Sequence, residues 1–163
     1  MTFFRIKKIK GKEYAYIVKN EWQRKGSRQR VKGYLGKAYR LKLENNIEFL
    51  RFASAENLAE YTNKNDFRKI LKDLIEWELF RFGTGKHQFS IDLDNKKIEN
   101  KKKGIVLLIN DGFVCHLTLK NLLDFRAEGD EEQDGYRLAR AFVEAGIKVP
   151  KDVFVALFGK LYK

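Results

Sequence analysis

In "KGSRQRVKGYLGK", Lys25 to Lys37, Arg28, Arg30, Lys32 and Tyr34 stand at every second position, separated by Gln29, Val31, Gly33 and Leu35. Alternate side chains of an extended strand share a face. The spacing therefore predicts three cations and a ring on one side, with apolar or small residues on the other. The same alternation appears upstream. Arg5 and Lys7 share a side of "FFRIKKIK" opposite Phe4 and Ile6, and Tyr14 and Tyr16 share a side of "EYAYIVK" opposite Ala15 and Ile17. Cations hold phosphates and open rings stack on bases. A sheet face of Arg5, Lys7, Tyr14, Tyr16, Arg28, Arg30, Lys32 and Tyr34 thus suits single-stranded or unpaired nucleic acid. Trp22, Arg24 and Lys25, in a segment that reads as a polar loop, "NEWQRKGS", would add a ring and two cations. The plainer alternative is a solvated face whose tyrosines lie under lysine stems.

Charge placement favours the binding reading. The chain has 163 residues with 34 Lys and Arg, 22 Asp and Glu, and a net charge of +12. Fourteen of the bases and only two of the acids, Glu13 and Glu21, fall within residues 1–43, while the remainder carries twenty of each sign. Abundant Lys and Glu, with one Pro, one Met and one Cys, resembles thermophile composition, but that tendency would spread both signs evenly. A concentrated positive field instead attracts a polyanion and releases its condensed counterions.

The segment "RIKKIKGKEYAYIVKNEWQRKGSRQRVKGYLG", residues 5–36, resembles the short basic leader of some insertion-sequence transposases. In those leaders a β-hairpin with "YYYLV" is followed by a loop and "RQ-(K/R)-x-x-x-YLG". The segment is similar as well to the opening of small archaeal proteins. Matching positions are Arg28, Gln29, Arg30, Tyr34, Leu35 and Gly36. The resemblance implies a nucleic-acid-facing module that binds DNA or RNA. It does not imply a transposase, because the 127 residues that follow are too few for the catalytic domain and offer no acidic triad.

Other chemistry is sparse. Cys115 and His116 are adjacent in a strand-like run, so they would point to opposite faces and form no thiolate–imidazole pair. One cysteine and two histidines do not make a usual structural zinc site, and the lone thiol fits a reducing cytoplasm. Asp92, Asp94 and Glu99 faintly resemble a metal-dependent nuclease set, but their spacing better fits a charged hairpin tip. No phosphate-binding glycine loop is present, and "GTG" at 83–85 ends a helix. The acidic "EGDEEQDG", 128–135, suits a helix N-terminus, with docking of a partner as the alternative.

These residues need elements to hold them. Strand patterns cover 3–10 and 13–19 with a turn at Gly11-Lys12, then the segment ending at Gly36. "AYRLKL" and "IEFLRF" complete an antiparallel meander of four or five strands. Ser54 would cap a helix over 55–62, and Asn65 or Asp66 the clearest helix, which carries Ile70, Leu71, Leu74 and Ile75. A strand over 87–93 and the run "GIVLLIN" turn at Asp111-Gly112 into "FVCH". Helices follow, capped by Thr118 and Asp130 and opened by Pro150. The fold class is α+β, a basic β module over 1–53 and an α+β body over 54–163, packed as one unit. Trp77, Phe80, Phe154 and Phe158 exceed what one helical stripe buries and are candidates for a homodimer interface. The expected protein is a cytoplasmic, non-enzymatic nucleic-acid binder with no cofactor, metal or membrane partner, since no apolar run approaches the roughly 20 residues of a membrane span. The alternatives are an assembly factor meeting an acidic partner, as in a ribonucleoprotein particle, and a small nuclease.

Overall fold

The N-terminal strands run longer than their apolar residues. A computed structural model of the chain describes residues 2–162. It contains β1 (Thr2–Ile9), β2 (Lys12–Gln23), β3 (Gly26–Arg40), the helical turn α1 (Phe49–Phe52), α2 (Leu58–Lys64), α3 (Phe67–Arg81), β4 (Ser90–Asp92), β5 (Lys97–Asn100), β6 (Lys103–Ile109), β7 (Gly112–Val114), α4 (His116–Leu123), α5 (Glu131–Glu144) and α6 (Lys151–Gly159). The fold is α+β and begins with antiparallel strands. One sheet has the order β1-β2-β3-β6-β5-β4, with β7 paired to β6. Among the described residues no helix is long and apolar enough to cross a membrane.

The seam between the N-terminal strands and the rest is a parallel pairing, Lys37 opposite Ile105 through Arg40 opposite Leu108. β6 is buried on both faces, which accounts for its continuous apolar run. Ile105, Leu107 and Ile109 face the helices, packing with Ile70, Leu74, Leu119, Leu138 and Leu157. Val106 and Leu108 face a second, smaller core with Ala15, Leu35, Ala38 and Cys115. The sheet curls over that core until its edges meet, and Phe4 of β1 stacks on Phe113 of β7 with ring centroids 4.6 Å apart. Gly36 makes the seam possible. Its φ is +134°, and a Cβ there would sit 2.3 Å from the Gly104 carbonyl oxygen.

Carboxylates cap the helices at the surface and tie them together inside, where Glu78 and Asp134 are buried. Asp66 and Asp130 cap α3 and α5 by accepting from Lys69 N–H and Gln133 N–H. Glu78, fully buried, accepts from the Arg81 guanidinium, the Asn110 amide and Lys148 N–H, joining α3 to the β6–β7 turn and the approach to α6. Asp134 accepts from Tyr162 Oη–H, Glu128 N–H, Gly129 N–H and Arg137, so it fastens the C-terminal end onto α5.

Several sequence expectations shift. No loop interrupts 20–27: β2 continues to Gln23 and turns at Arg24–Lys25 into β3. A two-stranded ribbon with no core beneath it needs no apolar side, so its sequence reads as loop. The expected hairpin of "AYRLKL" with "IEFLRF" does not form. Strand β3 ends at Arg40, and 49–52 is a helical turn that buries Phe49 edge-on against Trp77. The meander has three strands, and its first turn is Lys10-Gly11, both at positive φ, instead of Gly11-Lys12. Asn57, not Ser54, caps α2. Cys115, not Thr118, stands at the cap of α4, because β7 ends at Val114 and the Thr118 hydroxyl turns back to accept Cys115 N–H. The β6–β7 turn is Asn110-Asp111, both left-handed. Trp77 is buried, its indole N–H donating to the Ile47 carbonyl at 2.8 Å, so it completes the core and belongs to no exposed face.

Two outcomes test this packing. Gly36→Ala meets both backbone strain and the Gly104 carbonyl and should cost roughly 2–5 kcal/mol. Gly11→Ala, with nothing near its Cβ, should cost clearly less; denaturant midpoints of the two variants check it. The second concerns Asp134, whose carboxyl is held below the usual range, first by the Tyr162 hydroxyl and then by the backbone N–H groups and Arg137, against its own burial. A lowered folded pKa adds stability present above the unfolded value near about 4 and lost as pH falls through the folded value. The Tyr162 phenol is pushed up to about 12 by burial and by Asp134, so its contribution is complete below pH of about 10 and lost above that. Thermal melts across pH should show both flanks, and Asp134→Asn should flatten the acid one.

Candidate nucleic-acid interface

From Lys19 to Lys32 the β2–β3 hairpin is an arm. Every side chain in it is exposed except the half-buried Glu21. Strand β1 pairs with β2 only as far as Lys19, so beyond that point the arm is two strands wide. It extends about 17 Å over five residues.

Two bulges in β3 decide which side chains share a face. The register slips between Ala15 and Tyr16 and again between Ile17 and Val18, leaving Leu35 and Lys32 as the extra residues of β3. Each bulge resets the alternation. One face therefore carries Arg5 and Lys7 of β1, Tyr14 and Tyr16 of β2, and Tyr34 and Lys37 of β3, with Trp22 further out on β2. The other face of the arm carries Lys19, Glu21, Arg28, Arg30 and Lys32. The predicted grouping of Arg28, Arg30 and Lys32 with Tyr34 is thus corrected: the cations lie behind the ring. The predicted grouping of Arg5, Lys7, Tyr14, Tyr16 and Tyr34 is what the strand register gives.

Contacts confirm the division. On the ring face, Tyr34 packs on Tyr16 and Tyr14 with centroids 5.2 and 6.4 Å apart, and Lys7 Nζ lies 4.8 Å from the Tyr16 ring centre. Arg5 reaches across β2 to hydrogen-bond the Gln29 side chain. Tyr16 is therefore covered, whereas Tyr34 is 56 % exposed and Trp22 is 85 % exposed. The Tyr34 phenol is raised by partial burial and by the neighbouring phenols of Tyr16 and Tyr14, so it stays neutral and its ring face is uncharged. On the back face, Arg30 and Lys32 approach Glu21 only loosely, at 3.7 and 3.9 Å. Glu13, the other acid of this region, pairs with Arg40 at 2.9 Å. Arg24 and Lys25 form the turn at the tip, both exposed.

The remaining candidates have local employment. Asp92 accepts from the backbone and side-chain N–H groups of Asn95, which hold its carboxyl below the usual range, and Asp94 pairs with Lys72. Glu99 lies on β5. Among the described residues no three His, Cys, Asp or Glu converge as metal ligands would. Cys115 is buried and His116 exposed. Phe80 leans on Phe52, and Phe154 stacks on Phe158; the last two are half-buried against the core.

Sequence reading missed Lys37, whose ammonium lies over Tyr39, and Lys19, on the back face. It missed the bulges too, although Gly33 and Gly36 inside a strand were the available signal. Compared with models of protein families, with curated proteins and with solved structures, the chain matches none.

The two tryptophans make the arm observable. Trp22 should emit as a solvent-exposed indole and Trp77 as a buried one. Acrylamide should quench the first component selectively. Trp22→Phe should remove that component with a change in stability of no more than about 0.5 kcal/mol, since the residue is surface-exposed.

Proposed function

We propose that the protein binds nucleic acid without transforming it, holding an unpaired stretch on the ring face of its N-terminal strands. Tyr34 and Trp22 offer open rings for bases. Arg5, Lys7 and Lys37 supply phosphate contacts around Tyr34, and Arg24 and Lys25 at the tip add two more. Tyr14 and Tyr16 hold Tyr34 in place from below and take no base themselves while Lys7 covers Tyr16. The observation that carries the reading is the conjunction of charge and exposure. The chain's whole net charge of +12 lies in residues 1–43, and two large rings stand open in the same region. Stacking rings within a cationic groove is the pattern by which single strands are held. The resemblance of residues 5–36 to the transposase leader points the same way.

An acidic protein partner is the competing reading, and the rings separate the two. Tyr34→Ala should lower affinity for a single-stranded oligonucleotide by about five- to a hundredfold, the worth of one stacked base. It should leave the dependence of log affinity on log salt unchanged, because no cation is lost. The melting temperature should barely move, since the ring is more than half exposed. Normal single-strand binding by a folded Tyr34→Ala protein, measured by fluorescence anisotropy, would remove the stacking face from the account.

A further inference from the structure

The ring face does not stop at the root of the arm. Tyr34 packs on Tyr14 with centroids 6.4 Å apart, and Tyr14 stands directly opposite Lys37. Lys37 shares its side of β3 with Tyr39, and its ammonium lies 5.2 Å from the centre of that ring. Tyr39 meets Phe89, just before β4, at 5.1 Å. Phe89 in turn stacks on His87, with centroids 4.8 Å apart and the rings 11° from parallel. An unbroken line of contacts leads from the arm onto the body and ends on an imidazole.

A second line reaches the same place and brings a cation. The Asn100 amide donates to Tyr39 Oη at 3.1 Å, which puts Asn100 on the ring side of the sheet. Lys103 stands directly opposite Asn100 in the β5–β6 pair, and opposite residues share a face. Alternation along β6 agrees: Lys103 lies on the side of Ile105 and Leu107, and Leu107 pairs with Tyr39. Lys103 is exposed. Counted along the sequence it vanishes into the balanced remainder of the chain, and the fold returns it to the ring face.

The rings differ in what they have left to offer. Tyr39 is half-buried and taken up by Lys37 and Phe89, and Phe89 is half-buried and taken up by Tyr39 and His87. His87 is exposed with one face of its ring on Phe89, so the other face is open to a base. Glu44, beside Gly83, pairs with Lys86 at 2.6 Å and so presents phosphate with no unbalanced negative charge.

We infer that the unpaired strand continues from the arm onto the body, where His87 stacks on a base and Lys37 and Lys103 hold the phosphates between. This rests on the nucleic-acid reading above and gives that site a second, distal portion. Phe89 backs the imidazole as Tyr14 and Tyr16 back Tyr34. Such a site takes any base, since every base has a stacking face. What it selects is length.

The test uses the full chain and oligothymidylates of increasing length, with affinity read by fluorescence anisotropy. From Tyr34 to Tyr39 is about 17 Å of strand, with two ring contacts beyond it, so only a long oligonucleotide spans Trp22 to His87. His87→Ala should weaken binding of the longest strands by about five- to a hundredfold, the worth of one stacked base, and of shorter strands by less. His87→Phe keeps the ring and should bind long strands as the wild type does. Lys103→Ala should lower the salt slope on long strands by about 0.7. Both residues are exposed, so melting temperatures should hold. Wild-type binding of the longest strands by His87→Ala, an unchanged slope for Lys103→Ala, or failure of His87→Phe to restore what alanine loses would overturn the continuation. Failure of the arm itself would appear separately, as Tyr34→Ala binding strands of every length normally.

Discussion

The contact of Gly36 with the Gly104 carbonyl governs more of this molecule than its size suggests. A side chain there would force β3 away from β6, and the parallel pairing from Lys37 to Arg40 would open. That pairing is the junction through which the three N-terminal strands join the helical body. It lets β6 bury alternate residues on opposite sides, Leu107 toward the helices and Val106 toward the smaller core. A parallel pair forms its contacts across a long loop of chain, here with residues 41–102 between the partners, so the association carries an entropic cost that only burial on both faces offsets.

The bulges follow from the same packing. Leu35 is the extra residue of the inner bulge and is buried with Ala15 and Ala38. The curl that lets Phe4 reach Phe113 needs local bending, which a bulge supplies. A strand bent for the sake of the core thereby redistributes the side chains of the arm, which has no core. The second slip, at Lys32, sends Arg28 and Arg30 to the back and leaves Tyr34 beside Tyr16. The separation of rings from cations is thus a consequence of how the sheet closes.

Much of the body was legible because its signals are local. Asp66, Asp130 and Gly83 mark helix ends by their own chemistry, and Ile70, Leu71, Leu74 and Ile75 repeat with helical period. The buried run of β6 could be read directly. The partner it chose could not, since nothing in "AYR" announces a parallel neighbour more than sixty residues away. Trp77 seemed surplus to its helix because the Ile47 carbonyl that receives its N–H lies in an irregular segment with no pattern of its own. At the site, period two held across β1 and β2, so Arg5, Lys7, Tyr14 and Tyr16 were placed by alternation. It failed on β3, where each glycine after Lys32 and Leu35 marks an insertion into the count.

The arm's cations repel one another with little relief from the chain's own acids. Arg28 and Arg30 are about 7 Å apart along their strand, inside a screening length of about 8 Å at physiological salt, so each raises the free energy of the other. Glu21 relieves this only weakly, at 3.7 Å from Arg30 and 3.9 Å from Lys32. The arm buries no apolar side chain that could offset the repulsion. The body shows the opposite economy: Lys69, Lys72, Arg81, Lys96 and Arg140 each meet a carboxylate within 4 Å. The arm has Glu21 as its one acid, and Lys19, Arg24, Lys25 and Arg28 meet no carboxylate there. Binding a polyanion removes that repulsion and releases the polyanion's counterions together, so the two gains are drawn from the same contacts.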